Sequence, residues 1–224
     1  MIKKFIFWLM LVLFVVFWGS YCGNSNIKEI SNNISNDYKI ESRNMLFDNE
    51  SFIVKYPKIL SESKVVDKTN KQIEILLSTY LKTSLSDIEN STAHIDFEVH
   101  CLDGEYISIS FEGYYNCIKA AHPINFCYTI NLNIKNGSAV KLTDNVVVNE
   151  DFIKKFRNGW ETQVLVEAQN YLDQYTDEQL KTMLMSSDTD KGYGVFSCFT
   201  ENEKIIYFPV AHAIGDYAVI KVKS

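Results

Sequence analysis

The chain has 224 residues, 46% of them hydrophobic and 13% aromatic, and a formal charge of −6. That apolar content suffices for one sizeable domain or two small ones and excludes a disordered chain. The acidic balance, about −8 once Lys3 and Lys4 are removed with the leader, disfavours nucleic acid and anionic lipid surfaces, so any partner chosen by charge is basic or neutral.

Lys3 and Lys4 precede an uninterrupted apolar run from Phe5 to Trp18, after which come Gly19, Ser20, Tyr21 and Cys22. A charged region before an apolar one marks residues 1–22 as a signal peptide or membrane anchor. As a helix the run spans only about 21 Å, short of the roughly 30 Å hydrocarbon core, and Trp8, Trp18 and Tyr21 as interfacial anchors nearly close the gap. The lysines keep the N-terminus inside, so the remainder is expected to be extracytoplasmic, either tethered to the membrane or secreted. Cys22 is a lipidation candidate, although Tyr21 and Gly19 stand where a lipoprotein signal has a small and an aliphatic residue. Residues 23–37, rich in Asn and Ser and without a period, read as a tether.

Structure is expected from Tyr38. A strand near Tyr38–Phe47 and a second over Ser51–Pro57, joined through Asp48 and Asn49, form a hairpin that proline should stop. From Lys68, with Asp67 as a cap, Ile73, Leu76, Leu77, Tyr80 and Leu81 recur at the spacing of one buried helix face. Two alternating strands follow, with Ile95, Phe97, Val99 and Cys101 on one face of the first and Ile107, Ile109 and Phe111 on one face of the second. A three-residue loop, Asp103–Glu105, sets Cys101, Val99 and Phe97 opposite Ile107, Ile109 and Phe111, the register that buries a single apolar face. Another strand points Phe126, Tyr128, Ile130, Leu132 and Ile134 inward and Cys127, Thr129, Asn131 and Asn133 outward, and ends at Asn136-Gly137. Asn149 caps a helix with Glu150 and Asp151 in its first turn. A longer helix is expected over Trp160–Tyr175, and the capping box Thr176–Gln179 opens a short one. Three strands close the chain, in GVFSCFT, KIIYFP and YAVIKV. Helices mixed with antiparallel strands make the fold class α+β, with a small α/β subdomain over 38–92 and a larger domain over 93–224.

Beyond Cys22, the cysteines are Cys101, Cys117, Cys127 and Cys198. Outside the cytoplasm four cysteines permit three connectivities, and Cys117 with Cys127 is preferred because that pair closes the loop holding His122-Pro123. No spacing matches a zinc ribbon or a CxxC redox centre.

The order strand, Ala121-His122-Pro123, strand, Asn136-Gly137, Leu142-Thr143-Asp144, helices and KIIYFPVAHAIGDYAVIKV resembles the RsiV/PdaC-like extracytoplasmic domain family of bacteria. Tyr56–Ile59 and Asn70 resemble the smaller domain that precedes it, and the likeness covers about residues 45–223. Where the family has Gly-Gly before its Ala-His-Pro this chain has Lys119-Ala120, and the closing aromatic-Pro-Tyr is Phe208-Pro209-Val210. Such domains stand outside an anti-sigma factor that senses lysozyme, or ahead of a peptidoglycan deacetylase. With four residues before the apolar run, neither a sigma-binding domain nor a deacetylase is expected in this chain. The resemblance implies a membrane-tethered or secreted binding module for a basic protein such as lysozyme, or for peptidoglycan.

His122 is the residue most open to a chemical role, as a base paired with Asp216, as a ligand contact, or as a structural histidine bonding its loop. The candidate binding residues are His122, Pro123, His212, Asp216 and Tyr217. His122 with His212, joined by His94 or His100, would give a metal site, but no two histidines share a helix face at i,i+4 and none is expected to hold a metal. No cofactor motif occurs and no catalytic residue is assigned. The enzyme alternative is a peptidoglycan-modifying enzyme or accessory factor with His122 at its site.

Overall fold

The computed structural model describes residues 38–62, 64–117, 120–159, 166–189 and 193–224. The leader over 1–22 with Cys22, the tether over 23–37, Lys119 and the first part of the helix expected from Trp160 lie outside the described residues. Among the described residues no helix is long and apolar enough to cross a membrane.

Strands β1 (Lys39–Met45), β2 (Phe52–Leu60), β3 (Ser91–Leu102), β4 (Tyr106–Cys117) and β5 (Ile124–Asn133) form one sheet in chain order, antiparallel except between β2 and β3. Helix α1 (Val65–Ser84) makes the crossover that a parallel pair requires. Its buried stripe of Val66, Thr69, Ile73, Leu77 and Leu81 packs on Val54, Ile95, Val99, Ile109 and Leu132 in one core. Helices α2 (Leu142–Asn145), α3 (Glu150–Asn158), α4 (Val166–Leu172) and α5 (Asp177–Met185) precede a second sheet of β6 (Phe196–Phe199), β7 (Glu203–Pro209) and β8 (Tyr217–Lys223). Along β7 and β8 alternation sends Ile206, Phe208, Ala218, Ile220 and Val222 into a core with these helices, and Ile205, Tyr207, Tyr217 and Val219 toward the first sheet. The layers are therefore α1, five strands, three strands, four helices, an α+β architecture.

Several expectations change. The division at 92/93 falls inside β3, because β1 and β2 share the sheet and the core of β3–β5. Strand β2 does not stop at Pro57. It pairs with β3 only over Phe52–Val54, so beyond that point one side of β2 carries no ladder and the missing N–H of Pro57 breaks nothing. The Asn70 carboxamide closes that open side at Ile59, accepting from its N–H at 2.8 Å and donating to its carbonyl at 2.9 Å. Helix α1 starts at Val65, two residues before the expected cap at Asp67, and its N-cap residue Lys64 makes no side-chain cap bond. The caps at Asn149 and at Thr176 with Gln179 form as expected.

The β3–β4 register holds for Phe97–Phe111 and Val99–Ile109 and then shifts, so that Cys101 pairs with Ser108 and Leu102 with Ile107. A bulge at His100 absorbs one residue and returns Leu102, not Cys101, to the core. At Gly113 the same two strands come so close that a Cβ would run into the His94 carbonyl oxygen, which only glycine avoids.

The outward face of β4 and β5 is not solvated: Ser108, Ser110, Thr129 and Asn131 are buried under the second sheet. Ser108 and Asn131 are cross-strand partners. Ser108 Oγ donates to Asn131 Oδ1 at 2.7 Å and accepts from Phe199 N at 2.8 Å, while Asn131 Nδ2 donates to Ser197 O at 2.8 Å. Two side chains thus stand in for a neighbouring strand along the open edge of β6.

Candidate binding site

The His-Pro turn enters β5 at Ile124, and its fixed φ at Pro123 sets the chain into extended backbone. Residues 120–125 are all exposed. The turn is tied to the β7–β8 connection by Asn125, whose N–H donates to Asp216 Oδ2 at 2.8 Å and whose carboxamide donates to Gly215 O at 3.2 Å. Asp216, at φ 69°, also meets His212 Nδ1 at 2.8 Å. A carboxylate only accepts, so Nδ1 carries the imidazole proton and Nε2 is the atom left for a ligand.

Across the sheet the same row continues from Asn125 to its partner Tyr114 and on to His94. The His94 and Tyr114 rings stack at 6.2 Å and 18°. His94, Tyr114, Asn125, Asp216 and His212 therefore make one ledge across β3, β4, β5 and the β7–β8 turn. Tyr114, 46% exposed, is its largest uncovered apolar surface.

Behind the ledge, on the next row, lies Glu112. Its Oε1 accepts from Ser110 Oγ at 3.0 Å and Tyr207 at 2.9 Å, and its Oε2 accepts from Tyr217 at 3.0 Å. Because the Ser110 hydroxyl donates to Glu112, the 2.9 Å contact with His100 Nε2 makes Nε2 the donor and fixes that tautomer. Burial first, and the Glu112 charge among the further causes, push both phenol pKa values well up. Burial lowers His100, opposed by Glu98 and Glu112. The hydroxyls are committed to the carboxylate, so the network ties the sheets together rather than offering a base to a substrate.

A second part-buried carboxylate, Asp188, sits at φ 57° where α5 returns to β6. It accepts from Ser197 N at 2.7 Å, Ser197 Oγ at 2.6 Å, Leu142 N at 2.9 Å and Thr129 Oγ1 at 3.4 Å. Burial nevertheless raises its pKa against those hydrogen bonds. It borders a cleft of about 720 Å³ walled by Tyr80, Tyr128 and Phe196, in which Tyr80 and Tyr128 stack at 3.8 Å.

The predicted site residues separate. His122 and Pro123 are exposed, and His122 has no hydrogen-bond or ion-pair partner among the described residues. Asp216, the carboxylate expected beside it, is held by Asn125 and His212. Tyr217 turns inward to Glu112, and of the closing-segment candidates His212, Asp216 and Tyr217 it is His212 that faces solvent beside the ledge, with half of its side chain accessible. Among the described residues no three His, Cys, Asp or Glu side chains converge as a metal site.

The preferred Cys117–Cys127 bridge is absent, and Cys101, Cys117, Cys127 and Cys198 are all free thiols. Cys127 pairs with Glu112, five residues along β4 from Cys117, or about 16 Å, far beyond the Cα separation a disulfide spans. Burial pushes the Cys127 and Cys198 thiols well up, and burial with the nearby Asp103 carboxylate takes Cys101 to about 11.

Glu112, and His100 in any role but that of a metal ligand, were not singled out from sequence, nor was Asp188. Alternation assigned the first two to a polar outer face, and no local pattern says that a distant sheet covers it.

No family model matches the sequence, and no match was found among curated proteins. The chain is similar to the crystal structure of a DUF3298 family protein from Pseudomonas aeruginosa PAO1, at 12% identity and a TM-score of 0.46, over 83% of this chain and 89% of that one. It is also similar to a DUF3298 family member from Bacteroides fragilis, at 13% identity and a TM-score of 0.44, over 87% of this chain and 92% of that one.

Proposed function

We propose that the chain is an extracytoplasmic bacterial binding module, held at the membrane or released by its N-terminal segment, with no catalysis of its own. Its partner is a basic protein, for which lysozyme is the model. The observation that carries this reading is the ledge, a pinned polar row with one exposed aromatic at its centre and His212 Nε2 at its end. Protein interfaces are built around such aromatic anchors with polar surroundings. The net charge of −6 favours encounter with a cationic partner. The RsiV/PdaC-like motif order and the charged-then-apolar start of the chain support the extracytoplasmic setting. In this reading His122 and Pro123 border the contact, while Asp216 positions His212.

The test is binding of immobilised chain to lysozyme, with cytochrome c as a cationic control and peptidoglycan as a separate arm. Lysozyme binding that weakens about tenfold in Tyr114→Ala supports the reading, a loss of roughly 1.4 kcal/mol. Equal binding of cytochrome c, or an unaltered Tyr114→Ala, overturns it. Turnover of muropeptides that disappears in His212→Ala or His122→Ala would replace it with the enzyme alternative.

A further inference from the structure

On the far side of the second sheet, α4, α5 and β7 enclose a cleft of about 490 Å³ that the ledge does not touch. The volume falls within the roughly 300–1,000 Å³ of small-molecule sites. Met183 and Val210 form a buried floor, and Tyr171, Tyr175 and Tyr193 form walls. The Tyr171 and Tyr175 rings meet at 63° with centroids 6.0 Å apart, which makes an aromatic corner, and Tyr175 is braced edge-on by Phe208 at 5.7 Å. Tyr193, 58% exposed, leaves a ring uncovered at the mouth.

Besides the tyrosine hydroxyls, the polar side chains of the described lining are Glu178, Gln179 and Thr182. Gln179 Oε1 already accepts from Thr176 N in the capping box, which leaves its NH2 group as a donor without a partner among the described residues. The Thr182 hydroxyl hydrogen is spent on Glu178 O at 2.9 Å, so the oxygen is available as an acceptor. Glu178 is exposed and its carboxylate accepts only. Among the described residues no lysine, arginine or histidine lines the cleft. The described lining thus offers the Gln179 amide donor, the Glu178 and Thr182 acceptors and three phenol rings with their hydroxyls, the complement of an uncharged molecule with adjacent hydroxyls and apolar C–H faces.

We propose that this cleft is a glycan site, which takes a neutral pyranose ring against the tyrosine walls with its hydroxyls on Glu178, Gln179 and Thr182. It is independent of the ledge and of the partner proposed there.

The experiment titrates the full chain with chitotetraose, maltotetraose and tetramethylammonium chloride, followed by saturation-transfer NMR and calorimetry, in wild type, Tyr193→Ala, Glu178→Ala and Tyr114→Ala. Saturable binding of either oligosaccharide is expected, weakened at least tenfold by Tyr193→Ala and by Glu178→Ala and unchanged by Tyr114→Ala. Tyr193 and Glu178 are exposed, so neither change threatens the fold. Failure of both oligosaccharides to bind, binding indifferent to Tyr193→Ala, or tetramethylammonium binding in their place would overturn the proposal, the last by pointing to a cation cage. A Tyr114→Ala chain that loses lysozyme but keeps the oligosaccharide separates the two sites.

Discussion

Tyr217 places its hydroxyl 3.0 Å from Glu112 Oε2, across the seam between the two sheets and 105 positions away in the chain. With Tyr207 on the other oxygen, this carboxylate joins layers whose two main apolar cores are separate. Removing one hydroxyl leaves a charged acceptor short of a donor in a partly buried site, which costs about 1–3 kcal/mol. Urea unfolding of Tyr217→Phe and Tyr207→Phe is expected to show losses in that range. The double variant should depart from their sum, since both act on one carboxylate.

His100 gives the fold a dependence on acid. Burial holds its folded pKa below the ordinary value of 6.5, so below that value the unfolded chain binds the proton more readily. Its contribution is complete above 6.5 and is lost as pH falls toward the folded value. Unfolding midpoints of the wild type should therefore decline from pH 6.5 to 5, before most carboxylates titrate. In a His100→Asn variant that slope should flatten; a slope that survives would assign it to other groups.

Asn70 acts as a one-residue strand beside Ile59. Asn70→Ala removes both bonds and is expected to cost about 1–2 kcal/mol, while Asn70→Asp keeps the acceptor and loses only the donor. Thermal unfolding should rank wild type above Asp above Ala at a pH where Asp is ionised, unless the bonds contribute nothing.

Gly113 is set by the approach of β3. Because an added Cβ meets backbone and not a flexible side chain, Gly113→Ala should destabilise by about 2 kcal/mol or more. Gly104 has open space around it, so Gly104→Ala is the matched control.

The thiols give a covalent check. Peptide mapping of protein from an oxidising compartment should find no Cys117–Cys127 peptide, because the register keeps these residues apart. Their linkage would require β5 to slide along β4.

How far the sequence could be read depended on the range of the interactions. Alternation in β3, β4 and β5, the cap at Asn149 and the capping box at Thr176 are local and were legible. The bulge at His100 was not, because Cys101 and Leu102 are both apolar enough for the inner face, and only closure of the turn at Asp103 decides between them. Pro57 misled because its tolerance depends on where β3 leaves β2. At the candidate site, His212 and Asp216 were marked by their motif, yet their partner was Asn125 and not His122. Tyr114 carried no motif, since only the strand register aligns it with His94 and Asn125.

The polar seam has a consequence for how the molecule comes apart. Each sheet has its own large apolar core, and the plane between them holds only a smaller cluster of Cys198, Ile205 and Tyr207 beside Cys127, crossed by side-chain hydrogen bonds from Ser108, Glu112, Thr129 and Asn131. Separating the layers exposes far less apolar surface than opening either core, so the seam is where sub-global opening is cheapest. Amide exchange should sort into two cooperative blocks, residues 38–140 and 141–224, with β6 amides such as Phe199 exchanging at the rate of the boundary between them. A force applied across the chain would part it there first, with each half still folded.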